Sequence, residues 1–313
     1  MVCLAVVILL IAACGGGDDD EGADPASSDP VVIEHLFGAT TVPESPMRIV
    51  SLDLQWTDVL LALDAPVIAA GAHPLVEGGL FSWQTPRIGD DVEILQVTGG
   101  VPFERIAALQ PDLIVGTLAI TDPETYETLS VIAPTIGPLT EQQVESWQDL
   151  AEAAGVMLRD EAAASSVIAE VDALGDELGD DFPGLAGRTL AFANYVPGAG
   201  IFVLADPDDG AGRLFAQLGL EIDPEMVELA AGTAGRTQLS VEQIGLLDSD
   251  ILMMLTNDAD PADIPGFAEL PAVNAGAFVI LDLETAVGLN TPTPLSIPPL
   301  LDTLRPAFEA AAA

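Results

Sequence analysis

The chain has 313 residues, half of them apolar, which is too long for one ordinary hydrophobic core and enough for two lobes of typical domain size. Fifty acidic residues against eight basic ones, every one an arginine, give a formal net charge of −42. Such a polyanion is repelled by nucleic acid and by anionic membrane surfaces; its acidity is read first as a genome-wide or saline-habitat bias, and second as a hint that it steers neutral or cationic ligands better than trianionic ones.

The chain opens on an uncharged apolar run from Met1 to Ala13. It is shorter than the roughly 20 residues a membrane-spanning helix needs and reads as the h-region of a signal peptide. It ends in Ile11-Ala12-Ala13-Cys14, which resembles a bacterial lipobox. In signals of that kind Cys14 is lipidated and becomes the mature N-terminus; the alternative is a plain signal peptide with a chance cysteine. The acidic tether Gly15-Gly16-Gly17-Asp18-Asp19-Asp20 that follows favours the anchor. With Cys3 in the discarded segment, the mature chain has no thiol pair, so neither a disulfide nor a cysteine metal site is available. Residues 15–30 read as a flexible linker, able to extend over about 50 Å at about 3.1 Å per residue.

Beyond the linker, β-type runs alternate with helical patterns. Strands are expected at Val31–His35, Arg48–Leu52, Val67–Gly71 and Leu113–Gly116. Helices are expected from Thr57 or Asp58 through Leu63, then over Glu104–Leu109, Pro123–Ile132 and Ser146–Ala154, the last ending at Gly155. This alternation predicts an α/β fold with mostly parallel sheets. Arg159 to Leu178 is long, rich in Ala and Glu and free of proline, and predicts one extended helix. A second series follows, with strands at Thr189–Phe192, Ile201–Leu204, Ile251–Leu255 and Phe278–Leu281, and helices at Gly212–Leu218, Val241–Leu247 and Leu295–Ala311. The expected organisation is a signal peptide (1–14), a linker (15–30), an N-terminal α/β lobe (31–158), a bridging helix (159–181) and a C-terminal α/β lobe (182–313). A ligand cleft between the lobes is expected, because open α/β sheets bind ligands beyond the carboxyl ends of their strands.

The halves echo each other. Pro102-Phe103-Glu104-Arg105-Ile106 followed by Pro111-Asp112-Leu113-Ile114-Val115 is matched by Ser240-Val241-Glu242-Gln243-Ile244 followed by Ser249-Asp250-Ile251-Leu252-Met253. With Arg48-Ile49-Val50-Ser51-Leu52, Asp58-Val59-Leu60-Leu61-Ala62-Leu63 and Leu129-Ser130-Val131-Ile132-Ala133-Pro134-Thr135, this order of motifs resembles the helical-backbone class of substrate-binding proteins of ABC importers. That class handles ferric siderophores, haem and cobalamin. Pro292-Thr293-Pro294-Leu295-Ser296-Ile297-Pro298 looks like actinobacterial ferric-siderophore lipoproteins.

The resemblance implies a non-enzymatic, exported binding protein held by lipid to the outer face of the cytoplasmic membrane. It would capture a ferric siderophore and deliver it to the permease subunits of the importer. No resident cofactor is implied, because iron travels inside the chelate. The charge balance leans to ferric hydroxamates; haem or cobalamin is the alternative within the class. Outside it stand a lipid-anchored envelope enzyme and an envelope interaction protein. No Gly-x-Ser-x-Gly elbow or phosphate loop supports the enzyme. A monomer is expected.

Glu104 and Glu242 sit where the class carries one glutamate per lobe for permease arginines, and the competing reading is a glutamate favoured by a helix dipole. Ligand contacts are expected from Trp56, which lies between a strand end and a helix start, and from Trp83 and Arg87 in a loop. Tyr195 at a strand end and Arg236 before the Glu242 helix complete the set. For Trp83 the competing reading is packing under its own loop; for the arginines it is an ion pair with one of many carboxylates. His73 is either a haem ligand or a solvated loop residue.

Overall fold

A computed structural model describes residues 29–313 apart from positions 143, 232 and 234. Cys14, the signal segment and residues 15–28 of the linker lie outside the described residues. Among the described residues no helix is long and apolar enough to cross a membrane.

The N-terminal lobe begins with an antiparallel hairpin of β1 (Val31–His35) and β2 (Gly38–Val42). It then alternates β3 (Ile49–Ser51), α1 (Leu54–Ala62), β4 (Val67–Gly71), β5 (Glu93–Leu95), α2 (Phe103–Leu109), β6 (Leu113–Val115), α3 (Pro123–Ile132) and β7 (Thr135–Ile136). These strands form an all-parallel sheet in the order β5-β4-β3-β6-β7. β3 and β6 are buried throughout, as expected of a sheet covered on both faces.

α1 starts one turn earlier than its sequence pattern predicts. The Asp53 side chain, rather than that of Thr57 or Asp58, caps it by accepting from Trp56 N at 3.3 Å. Trp56 therefore lies inside the helix, one turn before Val59 and Leu60. All three belong to the core and are fully buried.

α4 (Trp147–Leu158) runs through Gly155 and stops at Arg159, whose φ of 60° is left-handed. Gly155 is a packing position rather than a stop. A Cβ there would stand 2.7 Å from the Ala164 Cβ of the next helix. That helix, α5 (Glu161–Asp181), has 21 residues and an Asp160 N-cap, which makes it about 32 Å long at 1.5 Å per residue. Its buried residues Ala164, Val171 and Leu178 recur every seventh position. They form one stripe against the rest of the molecule.

The C-terminal lobe carries β8 (Thr189–Val196), β9 (Gly200–Leu204), α6 (Gly210–Gln217), β10 (Glu221–Ile222), α7 (Pro224–Leu229), β11 (Arg236–Leu239), β12 (Ile251–Leu255), α8 (Pro271–Ala275), β13 (Phe278–Leu281), α9 (Leu283–Asn290) and α10 (Ile297–Ala312). Its sheet runs β11-β9-β8-β12-β13, with β10 also paired to β8. β12 is parallel to both β8 and β13, whereas β9 is antiparallel to β8 and β11. The molecule is thus two α/β lobes with mostly parallel sheets, connected by α5. The segment expected as a helix at Val241–Leu247 is a 3-10 helix over Val241–Leu246, closed by a capping box of Ser240 and Gln243.

Candidate ligand-binding site

A cleft opens where the carboxyl ends of the N-terminal strands face the C-terminal lobe. Its floor comes from Leu52 and Asp53 after β3, Ala72 and His73 after β4, and Leu118 after β6. The opposite wall comes from β8, β9, Arg236 at the start of β11, Leu255 at the end of β12, and α9. The cleft has two chambers, of about 310 and about 430 Å³, which share His73, Leu118, Val287 and Thr291.

Arg236 is the cation on the cleft wall. Gly235 before it has a φ of 72°, and an added Cβ would collide with the Asp206 side chain, so a glycine delivers the arginine. The guanidinium donates to Asn290 Oδ1 at 2.8 Å and lies 3.9 Å from the Asp209 carboxylate. It remains 47 % exposed. Asn194 and Asn290 add neutral polar groups to the same chamber. His73 packs at 4.8 Å against Phe81, and its Nδ1 accepts from Leu75 N at 3.4 Å. Burial pushes its imidazole below the ordinary range, towards the neutral form.

The aromatic residues expected at the cleft are placed elsewhere. Trp56 is in the core, for the capping reason given above. Trp83 stacks on Phe81 at 4.5 Å and donates from Nε1 to Asp58 Oδ2 at 2.9 Å. It also packs against the Gly288 backbone of α9. Trp83 therefore joins the lobes and does not line either chamber. Tyr195 lies within β8 rather than after it. Strand alternation turns it to the core face of Ala191 and Ala193, while Asn194 faces the cleft. Arg87 is exposed and lines neither chamber. Glu104 and Glu242 are both exposed, each in the first turn of its short helix, one per lobe.

Sequence reasoning missed a buried knot beside the cleft. Asp58 is fully buried and accepts from Trp83 Nε1, from Gln84 Nε2 at 2.6 Å and from Thr293 Oγ1 at 2.5 Å. Burial pushes its carboxyl up to about 7 against the pull of those three donors. Thr293 lies between α9 and α10 of the C-terminal lobe, so this carboxylate ties the lobes together. Its signal was present: an aspartate directly before Val59-Leu60-Leu61-Ala62-Leu63 on a helix is a charge with no route to water.

The protein-family model described as periplasmic binding protein matches residues 49–285, which is most of the chain. The chain belongs to the periplasmic binding protein family. This binding protein is 28 % identical over 265 residues to the ferric enterobactin-binding periplasmic protein FepB of Escherichia coli, covering 79 % of this chain and 82 % of FepB. It is 27 % identical over 248 residues to the probable siderophore-binding lipoprotein YfiY of Bacillus subtilis, covering 76 % of this chain and 72 % of the relative. Among solved structures, a periplasmic solute binding protein from Mycobacterium smegmatis superposes with a TM-score of 0.75 at 29 % identity, over 92 % of this chain and all of that one. The family binds solutes and is not an enzyme family, and the two-lobed fold expected from the sequence is the fold observed.

Proposed function

We propose that this periplasmic binding protein is the extracytoplasmic solute-binding component of an ABC importer, and that it captures a ferric siderophore of hydroxamate type. The observation that carries the ligand class is the cleft's charge. Its wall presents one arginine, already bonded to Asn290 and near Asp209, within a chain of net charge −42. A neutral ferric hydroxamate meets no electrostatic penalty there, whereas a trianionic chelate would be repelled. The curated relatives named for siderophores support the broader class. Among the described residues no group of three or more His, Cys, Asp or Glu is placed to hold a metal ion. The reading therefore leaves the iron's ligands on the chelator, with the protein supplying shape, apolar contact and a few polar groups.

Cys14 is proposed as the lipid anchor at the outer face of the cytoplasmic membrane, in keeping with a relative named as a lipoprotein. Residues 31–158 and 182–313 act as lobes around the 159–181 bridge, in a protein that works as a monomer. Glu104 and Glu242, exposed on separate lobes, are proposed to pair with permease arginines.

Equilibrium titration with a neutral ferric trihydroxamate and a trianionic ferric tricatecholate tests the ligand class. The hydroxamate should bind more tightly, and Arg236→Ala should weaken it on the order of tenfold, the scale of one hydrogen bond to a charged group. Preference for the catecholate would overturn the hydroxamate assignment. In vesicles carrying the cognate permease, replacing Glu104 and Glu242 together by Gln should cut transport far more than chelate affinity. Undiminished transport would remove them as docking residues.

A further inference from the structure

Both chambers are lined mostly by apolar groups, and they differ in the polar side chains left free to a ligand. In the larger one, Arg236, Asn194 and Asn290 present polar groups, all from the C-terminal lobe. The smaller one is walled mostly by the N-terminal lobe, and its most polar side chains are already saturated. The Asp53 carboxylate accepts from the backbone N–H groups of Trp56, Thr117 and Leu118. The Gln84 amide accepts from Phe81 N at 2.9 Å and donates to Asp58. What this chamber offers a ligand is mainly apolar surface, from Pro74, Val97 and Ala119 with the edge of Leu54.

The mouth of the larger chamber is rimmed by exposed apolar side chains. Nine large apolar side chains are exposed among the described residues. Four of them line this one chamber: Leu75 at 60 %, Leu118 at 49 %, Phe202 at 40 % and Leu283 at 37 %. Two come from each lobe, and Leu118 lines both chambers. Exposed apolar patches on a highly charged surface mark a place that something apolar covers. The aromatic platforms expected for stacking a planar chelate, Trp56, Trp83 and Tyr195, are packed away from it.

We infer that the ligand is amphiphilic: its chelate head lies against Arg236, Asn194 and Asn290, and an aliphatic acyl chain runs past Leu118 into the apolar chamber. This rests on the siderophore reading and narrows it to acylated chelates. The chelate head would meet the Arg236, Asn194 and Asn290 groups of the larger chamber, and the acyl chain the apolar side chains at its mouth and in the chamber beyond Leu118.

The test uses the mature chain from Gly15 onward and two ferric linear trihydroxamates that differ only at a terminal amine, N-acetyl in one and N-decanoyl in the other. Both are neutral, so charge does not contribute to the difference, and both are kept below the concentration at which the acyl form aggregates. The decanoyl complex should bind at least about tenfold more tightly, since several methylenes leave water. Replacing Leu75 and Leu118 together by Asn should collapse that ratio towards one. Both positions are exposed, so an unchanged melting temperature should accompany the loss. Equal affinities in the unaltered chain would overturn the acyl chamber and leave siderophore capture standing. Equally tight binding of the decanoyl compound with and without iron would keep the apolar chamber and overturn the siderophore reading. Failure of both ferric complexes to bind would overturn both.

Discussion

At the scale of single residues, burial decides which polar groups matter. Asp58 has an unfolded value near 3.8 and is held at about 7 when folded. Between those values the folded chain keeps a proton that the unfolded chain has lost, so folding stability attributable to Asp58 falls as pH rises from about 4 to about 7 and is flat above. Burial also raises Asp53 and Asp209, so denaturant midpoints across pH 4–8 should fall less steeply in Asp58→Asn than in the unaltered chain; parallel profiles would contradict it. Thr293→Val removes one of the three donors and should cost about 1–3 kcal/mol of stability. Trp56→Phe should also lose stability, by about 1–3 kcal/mol for a core truncation, while chelate affinity stays unchanged because Trp56 does not reach the cleft. The scarcity of arginine singled out Arg87 and Arg236 alike; of the two, Arg236 lines the cleft, from the start of β11 rather than from a loop. Trp56 and Tyr195 were misplaced for one local reason each: a cap four or five residues earlier than expected, and a strand four residues longer than expected.

At the scale of elements, periodicity found the long, regular pieces. α5 and the buried strands β3, β6 and β12 stand close to where the sequence puts them, because an uninterrupted Ala- and Glu-rich run and short apolar runs each have one natural conformation. Short elements were missed. β11 holds Arg236, and α9 contributes Val287 and Asn290 to the cleft, yet neither has a pattern long enough to recognise. Gly155 misled in the other direction, since a glycine that permits helix contact looks in sequence like a helix stop. Gly155→Ala should push α4 from α5 and lower stability by about 1–3 kcal/mol, the usual range for overpacking, despite the better helix propensity of alanine. Thermal melting reads this directly; a stabilised variant would show that the two helices can part without cost.

At the scale of the whole molecule, the lobes are coupled by more than α5. Trp83 and Ser82 of the N-terminal lobe reach α9, the latter through a hydrogen bond from its N–H to Glu284 Oε2 at 3.1 Å, and Asp58 meets Thr293. Arg305 of α10 pairs with Asp181 at the end of α5 and lies over Phe182. The ties from Trp83 and Ser82 to α9 and from Asp58 to Thr293 make large hinge closure costly, so small-angle scattering should show almost no change in radius of gyration on ligand saturation. The two-lobed plan was legible because the halves repeat one motif. The chemistry of the cleft was not, because it arises from which side chains the lobes turn towards each other. Calorimetric titration of the chain from Gly15 onward tests whether this cleft captures an iron chelate. With a panel of ferric hydroxamates, a ferric catecholate, haem, cobalamin and free ferric ion, a ferric hydroxamate should bind at one site per chain and free ferric ion should not. Binding of haem or cobalamin alone, or of none of the panel, would contradict siderophore capture.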